Sequence, residues 1–419
     1  MTVWFVPRDA AALSVGADAV AAALEARGEH VVRTGSRGLL WLEPLVERAD
    51  SRDGTRVGWS NVQACDLSES GLSEAAANFL GVVEELDYLA CQNRWIYERV
   101  GIIDPVDPDD YVSHGGMAGL QRALEMSPMS VVQAVTESGL RGRGGAGFPT
   151  GIKWQTVAEQ APVPHKGDPV DAPRHKYICV NADEGDSGTF ADRMLMEGDP
   201  FCLLEGMAIA AHAVGADRGM IYLRSEYPAA IAAMSDAIEK ARARGWLGEG
   251  ILGSSCNFDV TIRVGAGSYV CGEETAMLES LEGRRGTVRA KPPLPAIEGL
   301  FGTPTVINNV LTIASVPSIL ARGAEAYAEL GQERSRGTQV FQLAGNIARG
   351  GIVEVAFGIS AHELIFGLGQ GTKSGRPLKA VQVGGPLGAY LTADALQVPM
   401  AYESLAAEGA MLGHGGLVV

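Results

Sequence analysis

The sequence predicts an α/β fold built around a parallel sheet. From Lys176 onward, apolar runs typical of strands alternate with longer segments of helical character, beginning with KYICVNA and continuing through GMIYLR and DVTIRVG. The intervening segments 201–213 and 227–244 have the length and apolar spacing of helices. Because parallel strands need crossover connections of this kind, the alternation indicates a parallel sheet whose ligands lie beyond the carboxyl ends of its strands.

A separate small α/β domain is predicted ahead of this sheet, over residues 1–75. The chain opens with the strand VWFVP, continues through a helix over 16–27, and returns in a second strand near 30–33. A strand, a helix and a strand in this order form a unit that pairs its strands side by side.

Residues 76–110 are predicted to form a linker, with 71–99 mostly helical. Apolar residues recur there at spacings of three and four, namely Phe79, Val82, Val83, Leu86 and Leu89. That spacing is typical of one face of a helix. The prolines and aspartates of 104–110 break the pattern and predict a domain boundary.

Residues 111–330 are predicted to form the central ligand-binding domain. Two short helices, 115–125 and 127–138, lead into a glycine-rich loop, and the strands and helices described above follow. A helix from Asn309 to Ala321 and another over 324–330 close the domain.

The segment after residue 330 changes character and predicts a small mixed α+β unit over 331–400. Its strands QVFQLAG, GIVEVAFG and AVQVGG are short, are bounded by glycines, and surround one predicted helix, 360–366. Residues 401–419 are predicted to be the start of a truncated C-terminal region.

Composition and charge exclude several classes of protein. The net charge of −16 argues against nucleic acid or an anionic membrane as a partner. No apolar run approaches the ~20 residues that a membrane-spanning helix needs. The start MTVWFVPRDA lacks the basic and apolar segments of a secretory signal, so we expect a cytoplasmic protein without membrane insertion.

The six cysteines do not form a metal-binding pattern. No two are spaced as Cys-x-x-Cys, and all lie scattered through the chain. Buried free thiols are therefore expected in preference to metal ligands, and no residue is assigned to a metal.

The glycine-rich loop 138–154, SGLRGRGGAGFPTGIKW, predicts an anion-binding cradle. Its glycines leave the backbone N–H groups accessible to an anion, and they are Gly142, Gly144, Gly145 and Gly147. The loop also carries three cations, Arg141, Arg143 and Lys153, and an aromatic residue, Phe148. A helix precedes the glycines and a proline follows them, so the loop is not a dinucleotide fingerprint of the strand–loop–helix kind. It also lacks the Gly-Lys-Ser/Thr of a Walker loop.

An acidic motif, VNADEGDSGTFADR, directly follows the first strand of the predicted sheet. The functional interpretation is that Asn181, Asp183 and Glu184 hydrogen-bond a polar ligand, with Asp186 further out. A solvated acidic loop remains the alternative.

A second acidic motif, GAGSYVCGEETAMLESLEG, follows the third strand and begins a helix. Backbone N–H groups near Gly272 and the carboxylates of Glu273 and Glu274 point to one place, and Tyr269 offers an aromatic face. Ordinary capping of the helix is the alternative. Nearby, Lys291 lies in the proline-bounded turn RAKPPLPA and is suited to a pyrophosphate.

Paired amides, Asn308 and Asn309, occur in TPTVINNVLT. Such a pair is an ordinary surface feature by itself. Together with the preceding motifs, however, it completes a pattern: from about Pro105 to Gly388 the chain resembles the NADH-oxidising subunit of respiratory complex I and its soluble relatives. Those relatives include the diaphorase subunits of NAD-reducing hydrogenases and of molybdenum-dependent NAD formate dehydrogenases.

The resemblance implies the identity of each domain. Residues 111–330 would be a Rossmann-like FMN- and NADH-binding domain, and residues 331–400 would be ubiquitin-like. The segment RTGSRGLLWLEPLVE resembles the cluster-binding segment of thioredoxin-like ferredoxin domains, with Ser36 and Leu40 at the two cysteine positions. Residues 1–75 would therefore be thioredoxin-like without cluster ligands, and an unrelated small domain is the alternative. The family's cysteine-rich [4Fe-4S] domain is not present within these residues, and its ligands were either lost or cut off.

The resemblance also implies how the cofactors lie. The FMN phosphate would lie on the loop 142–147 and on Lys153. Asn308 and Asn309 would reach the phosphate and ribityl region. NAD(H) would stack between Phe148 and Tyr269. Glu184, Asp186 and Glu274 are the expected catalytic-site carboxylates. The family's usual Glu is replaced by Asp186, and two of its aromatic residues are replaced by Thr156 and Leu294.

The activity implied is hydride transfer between nicotinamide C4 and flavin N5, followed by single-electron exchange with iron–sulfur centres. The expected partners are a small [2Fe-2S] thioredoxin-like subunit and a large catalytic subunit. The version Asp-Glu-Gly-Asp-Ser-Gly of the first acidic motif most resembles formate dehydrogenase. Complex I and NAD-reducing hydrogenase are alternative hosts, and a flavin-free docking subunit is an alternative of another class.

Overall fold

A computed structural model describes residues 2–49, 54–67 and 72–419 of the chain. Within these ranges the strands form three larger sheets and one two-stranded hairpin. The three sheets follow one another along the chain, and each has its own apolar core. The α/β class with a central parallel sheet, predicted from the sequence, is confirmed.

The N-terminal sheet combines one parallel pair with three antiparallel pairs. Its elements are β1 (Val3–Pro7), α1 (Ala10–Ser14), α2 (Ala17–Ala26), β2 (His30–Thr34), β3 (Val46–Ala49), β4 (Arg56–Trp59) and β5 (Phe79–Val82). The strand order is β2-β1-β3-β4-β5, with β1 and β2 parallel. Trp4 and Trp59 pack with ring centroids 5.6 Å apart in the core that α2 covers. Because β5 belongs to this sheet, the domain extends beyond the predicted boundary at residue 75, and its thioredoxin-like identity stays a prediction.

The predicted linker helix is wrong over the described part of 71–99. Its first apolar residues form β5, which pairs with β4 and completes the N-terminal sheet; a 3₁₀ turn over Val83–Glu85 and the one-turn helix α3 (Asp87–Ala90) follow. Phe79 packs against Trp59 at 5.2 Å between ring centroids. Because the exposed edge of β4 offers backbone partners, pairing outweighs the helical spacing.

The central domain contains a parallel sheet in the order β8-β7-β6-β9. Its strands are β6 (Tyr177–Ala182), β7 (Arg218–Leu223), β8 (Asp259–Val264) and β9 (Thr305–Asn309). The sequence predicted the first three strands and missed β9, because its five residues directly precede a helix. Pairing of β9 with β6 brings the two asparagines to the same edge as the first acidic motif.

Ten helices surround this sheet within the described residues. They are α4 (Pro108–Ser113), α5 (Ala118–Glu125), α6 (Pro128–Glu137), α7 (Thr150–Ala158), α8 (Ala191–Gly198), α9 (Pro200–Val214), α10 (Pro228–Ala243), α11 (Glu274–Leu281), α12 (Val310–Arg322) and α13 (Ala324–Ala328). Helix α9 is buried along nearly its whole length, against α12, α5 and α6. The predicted helices of this domain are confirmed to within a few residues.

The C-terminal domain contains the third sheet, in the order β13-β12-β16-β14-β15. Its elements are the hairpin β10 (Gly331–Gln332) and β11 (Ser335–Arg336), then β12 (Thr338–Ala344), β13 (Gly351–Ala356), a π-helical turn (Glu363–Leu368), β14 (Val381–Val383), β15 (Ala389–Leu391), α14 (Tyr402–Ala407) and β16 (Gly416–Val418). The sheet and its one intervening helical turn agree with the small α+β unit expected from the sequence.

Residues 401–419 were predicted to begin a separate region, and that prediction is wrong. Strand β16 runs parallel to β12 and antiparallel to β14, so it lies in the middle of the sheet. Leu417 is fully buried there. The three-residue strand has no periodicity of its own, so only its pairing reveals it.

None of the helices in the described part of the chain combines the length and the apolar character needed to cross a membrane.

Candidate functional site

Two adjoining cavities lie beyond the carboxyl ends of β6, β8 and β9. Their volumes are about 490 Å³ and about 350 Å³. Residues that line both are Gly144, Asn181, Gly272, Glu273 and Asn309. The site residues predicted from the sequence line one or both cavities, except four residues of the glycine loop: Arg141, Arg143, Gly145 and Gly147. The four motifs, separated by up to about 170 residues of chain, therefore meet at one edge of the sheet, as parallel-sheet topology requires.

Arg143, which the sequence predicts to contact the cofactor, lines neither cavity. Its guanidinium is fully buried, donates to Tyr327 Oη at 2.7 Å and to the Arg336 carbonyl at 2.9 Å, and stacks over Phe357. Its backbone N–H donates to Thr312 Oγ1 at 2.8 Å. The physical reason is that these partners hold the terminal nitrogens of the guanidinium inside the protein, so Arg143 fixes the glycine loop to the core.

Arg141 is also engaged by the protein. Its guanidinium pairs with Glu403 at 2.6 Å and stacks over Tyr402 at 4.3 Å. Of the three cations that the sequence places on the loop, only Lys153 lines a cavity.

Gly145 is the second residue that the prediction misplaced. It has a φ of +111° and forms an antiparallel bridge with Gly413, so its backbone faces the C-terminal segment. Gly144 lines both cavities, and a Cβ atom there would lie 3.0 Å from Asn309 Cβ. Glycine at 144 thus lets the loop approach the carboxyl end of β9 closely.

Lys153 and Lys291 supply the positive charge of the larger cavity. Lys153 Nζ donates to the Ile307 carbonyl at 2.8 Å, and burial lowers the pKa of its ammonium group. Lys291 Nζ lies 2.6 Å from Glu274 Oε1. Burial lowers the pKa of Lys291, but Glu274 and Glu273 more than offset it, so the net pKa is raised and the ammonium stays charged.

Glu273 and Glu274 have different roles. Glu273 caps α11, because its Oε2 accepts from the N–H groups of Thr275 and Ala276 at 2.8 and 2.9 Å. The capping alternative is therefore correct for Glu273. Glu274 instead faces the larger cavity between two ammonium groups, with Lys153 Nζ at 3.5 Å on the side opposite Lys291.

Asn181 and Asp183 lie at the end of β6, beside the smaller cavity. Asn181 Nδ2 donates to the Gly272 carbonyl at 2.8 Å, and Asn181 Oδ1 accepts from the Asp183 N–H at 3.1 Å. Asp183 Oδ2 is buried and has no hydrogen-bond partner among the described residues. Burial raises the pKa of Asp183 to about 6. An acceptor left unpaired beside a cavity is suited to a hydroxyl or N–H donor of a ligand.

Glu184 does not have the free carboxylate that the sequence predicted. Its side chain is buried, and it accepts from the N–H groups of Asp192 and Arg193 at 3.1 and 3.2 Å and from Tyr227 Oη at 3.2 Å. Because the two N–H donors belong to the first turn of α8, Glu184 orients that helix. Asp186 lies further out, as predicted, where its Oδ1 accepts from Tyr269 Oη at 2.8 Å.

The paired asparagines are also largely engaged by the protein. Asn308 Oδ1 accepts from Trp154 Nε1 at 3.0 Å. Asn309 caps α12 by accepting from the Leu311 N–H at 2.9 Å, and its Nδ2 donates to Asp192 Oδ2 at 2.7 Å. Both still line the larger cavity.

His414 lines the smaller cavity, and the sequence analysis missed it. Its Nδ1 lies 2.9 Å from the Arg143 carbonyl, and its Nε2 lies 3.2 Å from Glu184 Oε1 and 3.1 Å from Asp192 Oδ1. Burial lowers the pKa of the imidazole, but Asp192 and Glu184 raise it well above its usual range. The histidine in GHGG was the available signal, although its partners are more than 200 residues away in the chain.

These residues fit the flavin and nicotinamide that the sequence predicts. The larger cavity has a glycine wall and a buried ammonium for a phosphate, and the smaller one has the unpaired Asp183 oxygen for a polar chain. Phe148 lines the larger cavity and Tyr269 the smaller, and each is about half exposed, which leaves its ring face available. The six cysteines are free thiols, and the described residues contain no group of cysteines spaced to hold a cluster.

Comparison with known proteins agrees with this site. Residues 135–318 match the family model described as the Nuo51 FMN-binding domain. The HndC subunit of the NADP-reducing hydrogenase of Solidesulfovibrio fructosivorans is 49% identical over 78% of this chain and 64% of its own length. The second NuoF-type subunit of NADH-quinone oxidoreductase in Rhizobium meliloti is 48% identical over 74% of this chain and 71% of its own length.

A solved structure supports the same assignment. An NAD+-reducing [NiFe]-hydrogenase in the air-oxidized state matches 100% of this chain and 68% of its own chain, with a TM-score of 0.62 and 28% identity. The chain thus spans roughly two thirds of the length of the relatives that it matches. FMN, the flavin predicted from the sequence, is the cofactor of the matched family domain, and NADH occurs in the names of the relatives. On the strength of the site and of these similarities, the chain belongs to the Nuo51 family of FMN-binding NADH oxidoreductase subunits.

Proposed function

We propose that this chain is the NADH-oxidising flavoprotein subunit of a multi-subunit NAD-dependent dehydrogenase. The observation that carries the proposal is the convergence of the glycine loop, the acidic motif after β6, the start of α11 and the end of β9 on two adjoining cavities. Bound FMN would supply hydride exchange with a nicotinamide and single-electron exchange with iron–sulfur centres.

The residues of the larger cavity would hold the anionic and aromatic parts of the ligands. Lys153 and the backbone around Gly144 would hold the flavin phosphate, with Asn308 beside them. Lys291 would hold the pyrophosphate of NAD(H), and Glu274 would accept from a ribose hydroxyl. The side chain of Phe148 would provide an aromatic wall.

The smaller cavity would orient the reacting rings. Asp183 offers an unpaired acceptor, and the hydrogen bond from Tyr269 to Asp186 holds a half-exposed ring at the rim. Because hydride would pass directly between two bound cofactors, the reaction would need ring contact and alignment rather than a protein acid. The contribution of the protein is therefore positioning and exclusion of water.

The proposed flavin is tested by its identity after release. Chain purified with flavin, or loaded with it, should release FMN on denaturation, because the loop forms one phosphate cradle and the sequence contains no strand–loop–helix dinucleotide fingerprint for an adenylate. Chromatography of the supernatant distinguishes the flavins. Release of FAD would contradict the proposed site, and failure to bind any flavin would favour the alternative of a docking subunit.

For the host complex we propose an NAD-dependent formate dehydrogenase with molybdenum in its large subunit. The support is the Gly185-Asp186-Ser187 version of the first acidic motif. The names of the relatives favour a hydrogenase or complex I to a comparable degree. The proposed partners are a small [2Fe-2S] thioredoxin-like subunit and a large catalytic subunit.

Two measurements test the host. Mass spectrometry of the subunits that co-purify with the chain should find a molybdenum-binding subunit, and the complex should reduce NAD+ with formate. The isolated chain, loaded with FMN, should oxidise NADH but not formate. Hydrogenase or membrane subunits in the preparation would assign the chain to another host. Formate oxidation by the isolated chain would contradict the proposal that another subunit oxidises formate.

A further inference from the structure

Three buried side chains at the smaller cavity form a cluster that the flavin proposal does not use. These are Glu184, Asp192 and His414, hereafter the His414 cluster, and their side chains are 1%, 2% and 6% exposed. One carboxylate or imidazole atom from each lies within 4.8 Å of the other two. The cluster joins the segment after β6, the start of α8 and the segment before β16.

The orientation of His414 places Nε2 against two carboxylates. The Arg143 carbonyl can only accept a hydrogen bond, so Nδ1, 2.9 Å away, carries a hydrogen. Nε2 then faces Glu184 Oε1 at 3.2 Å and Asp192 Oδ1 at 3.1 Å. A ring nitrogen lone pair between two anionic oxygens is stable only if a cation lies there. The cation is either a proton, on Nε2 or on one of the two carboxylates, or a metal ion.

The geometry favours a metal ion over a proton. A charged N–H donor normally makes one aligned hydrogen bond of about 2.7–2.9 Å to a carboxylate. Here Nε2 is almost equally far from two oxygens, and neither Nε2 nor Asp192 Oδ1 has a hydrogen bond of acceptable geometry within the described residues. Metal–ligand bonds of about 2.0–2.2 Å place neighbouring ligand atoms roughly 3.0–3.5 Å apart. The distances from Nε2 to Glu184 Oε1 and to Asp192 Oδ1, 3.2 and 3.1 Å, lie in that interval.

The surroundings of the cluster are those of a metal site. The Nδ1 contact with a backbone carbonyl fixes the tautomer that leaves Nε2 for a metal. Asn309 Nδ2 donates to Asp192 Oδ2 at 2.7 Å and orients that carboxylate. The Glu184 carboxylate is oriented by two donors, the Arg193 N–H and the Tyr227 hydroxyl. All three residues line the cavity, so a fourth coordination position would face it.

We propose that the His414 cluster binds one divalent transition-metal ion of the zinc type. One imidazole and two carboxylates are ligands that Zn²⁺ accepts, and three protein ligands with an open fourth position are typical of a reactive rather than a closed structural zinc site. A divalent ion balances the charge of two buried carboxylates beside a neutral imidazole. It would also connect the C-terminal segment to α8.

The test uses the complete chain after treatment with a chelator and without added flavin, so that its outcome does not depend on the proposed function. Zn²⁺ is titrated in competition with a chromophoric chelator, and Co²⁺ is added separately to record its visible absorption. The variants are His414→Gln and Asp192→Asn. His165→Gln is the matched control, because His165 lies at a different cavity.

We expect one Zn²⁺ per chain, at least tenfold weaker binding in His414→Gln and Asp192→Asn, and no change in His165→Gln. Bound Co²⁺ should show the intense bands of four- or five-coordination. Equal binding by the control and the His414 variant would mean adventitious surface binding and would overturn the proposal. If His414→Gln fails to fold, a Co²⁺ spectrum of the wild-type chain that matches the hydrated ion overturns it as well.

Discussion

Among single residues, Glu274 offers the clearest prediction, on the choice between NADH and NADPH. Its carboxylate lies between Lys291 and Lys153, and a 2′-phosphate beside it would be repelled by up to a few kcal/mol at intermediate dielectric. Glu274→Gln removes the charge and frees both ammonium groups for a phosphate. We expect the ratio of kcat/KM for NADPH to that for NADH to rise roughly tenfold or more, with flavin content unchanged.

The control for this change is Glu298→Gln, which breaks the exposed pair with Lys166 at another cavity. Its kcat/KM ratio should equal that of the wild type. An unchanged ratio in Glu274→Gln would assign the discrimination to another carboxylate, with Asp186 the next candidate.

Gly144 and Gly142 form a matched pair on the glycine loop. An alanine Cβ at 144 would lie 3.0 Å from Asn309 Cβ, whereas at 142 the nearest atom is 3.7 Å away. Asn309 caps α12 and bonds Asp192, so it cannot move without loss of these contacts. We expect Gly144→Ala to weaken FMN binding about tenfold and Gly142→Ala to change it less than threefold, measured by fluorescence titration. Equal affinities would show that close approach of the loop to Asn309 is not needed.

For single residues, the sequence indicates a position at the site when the residue belongs to a contiguous motif. Asp186, Lys153 and Glu274 line the cavities at the ligand edge, and their roles there stay predictions. Arg143 and His414 could not be assigned, since their partners lie far away in the chain. The guanidinium of Arg143 donates hydrogen bonds to Tyr327 and Arg336. These partners follow it by 184 and 193 positions in the chain, so no local sequence pattern indicates them.

Among the elements, β16 has only three residues but lies in the middle of the third sheet. Leu417 is fully buried opposite Leu343 of β12 and Val383 of β14. Leu417→Ala should lower the free energy of unfolding by about 2–5 kcal/mol, through lost burial and the cavity that remains. Tyr390→Ala on the edge strand β15, where the ring is mostly exposed, should change it by less than about 0.5 kcal/mol. Urea unfolding measures the unfolding free energy of both variants. An equally small loss in Leu417→Ala and Tyr390→Ala would contradict a central position for β16.

Helix α8 meets the N-terminal domain through Glu197, which predicts a pH dependence. Glu197 is buried, accepts from the Ala10 N–H at 2.7 Å, and has Arg193 at 3.7 Å. Burial raises its pKa from 4.5 to about 7. The folded state therefore holds this proton more tightly than the unfolded state. The stabilisation is complete below about pH 4.5 and is lost as the pH rises through 7.

Glu197→Gln cannot ionise and keeps an acceptor for Ala10. Relative to the wild type, its unfolding free energy should be similar or lower at pH 5 and higher by about 1–3 kcal/mol at pH 8. Glu239→Gln, on the exposed face of α10, should follow the wild type at both values. Stability curves of Glu197→Gln and the wild type that stay parallel with pH would refute the assignment.

Three of the elements that the sequence missed are short strands, and the other missed elements include the helices α7 and α8 beside the two site motifs. Strands β5, β9 and β16 contain three to five residues each and take their conformation from a neighbouring strand. Longer helices and the strands that alternate with them were predictable because apolar periodicity extends over many residues. In 72–99 the same spacing was misleading, because an open sheet edge competes with local helix formation.

For the whole molecule, the order of domains brings every part of the site to one place. The central sheet provides the ligand edge, and the C-terminal domain covers it through the bridge between Gly413 and Gly145 and through His414. The sequence predicted the central sheet and its edge from alternation alone. It could not predict that the last residues return to the site, since that contact depends on the position of β16 within the third sheet.

The central claim is that the chain binds FMN where NADH can reduce it. The most direct measurement is an anaerobic titration of the FMN-loaded chain with NADH, with the visible flavin absorption recorded after each addition. We predict that the absorption is bleached in proportion to NADH, with an end point of one NADH per bound FMN. If the chain binds FMN and its absorption stays unchanged in excess NADH, the claim that these two cavities form one NADH–flavin site is contradicted.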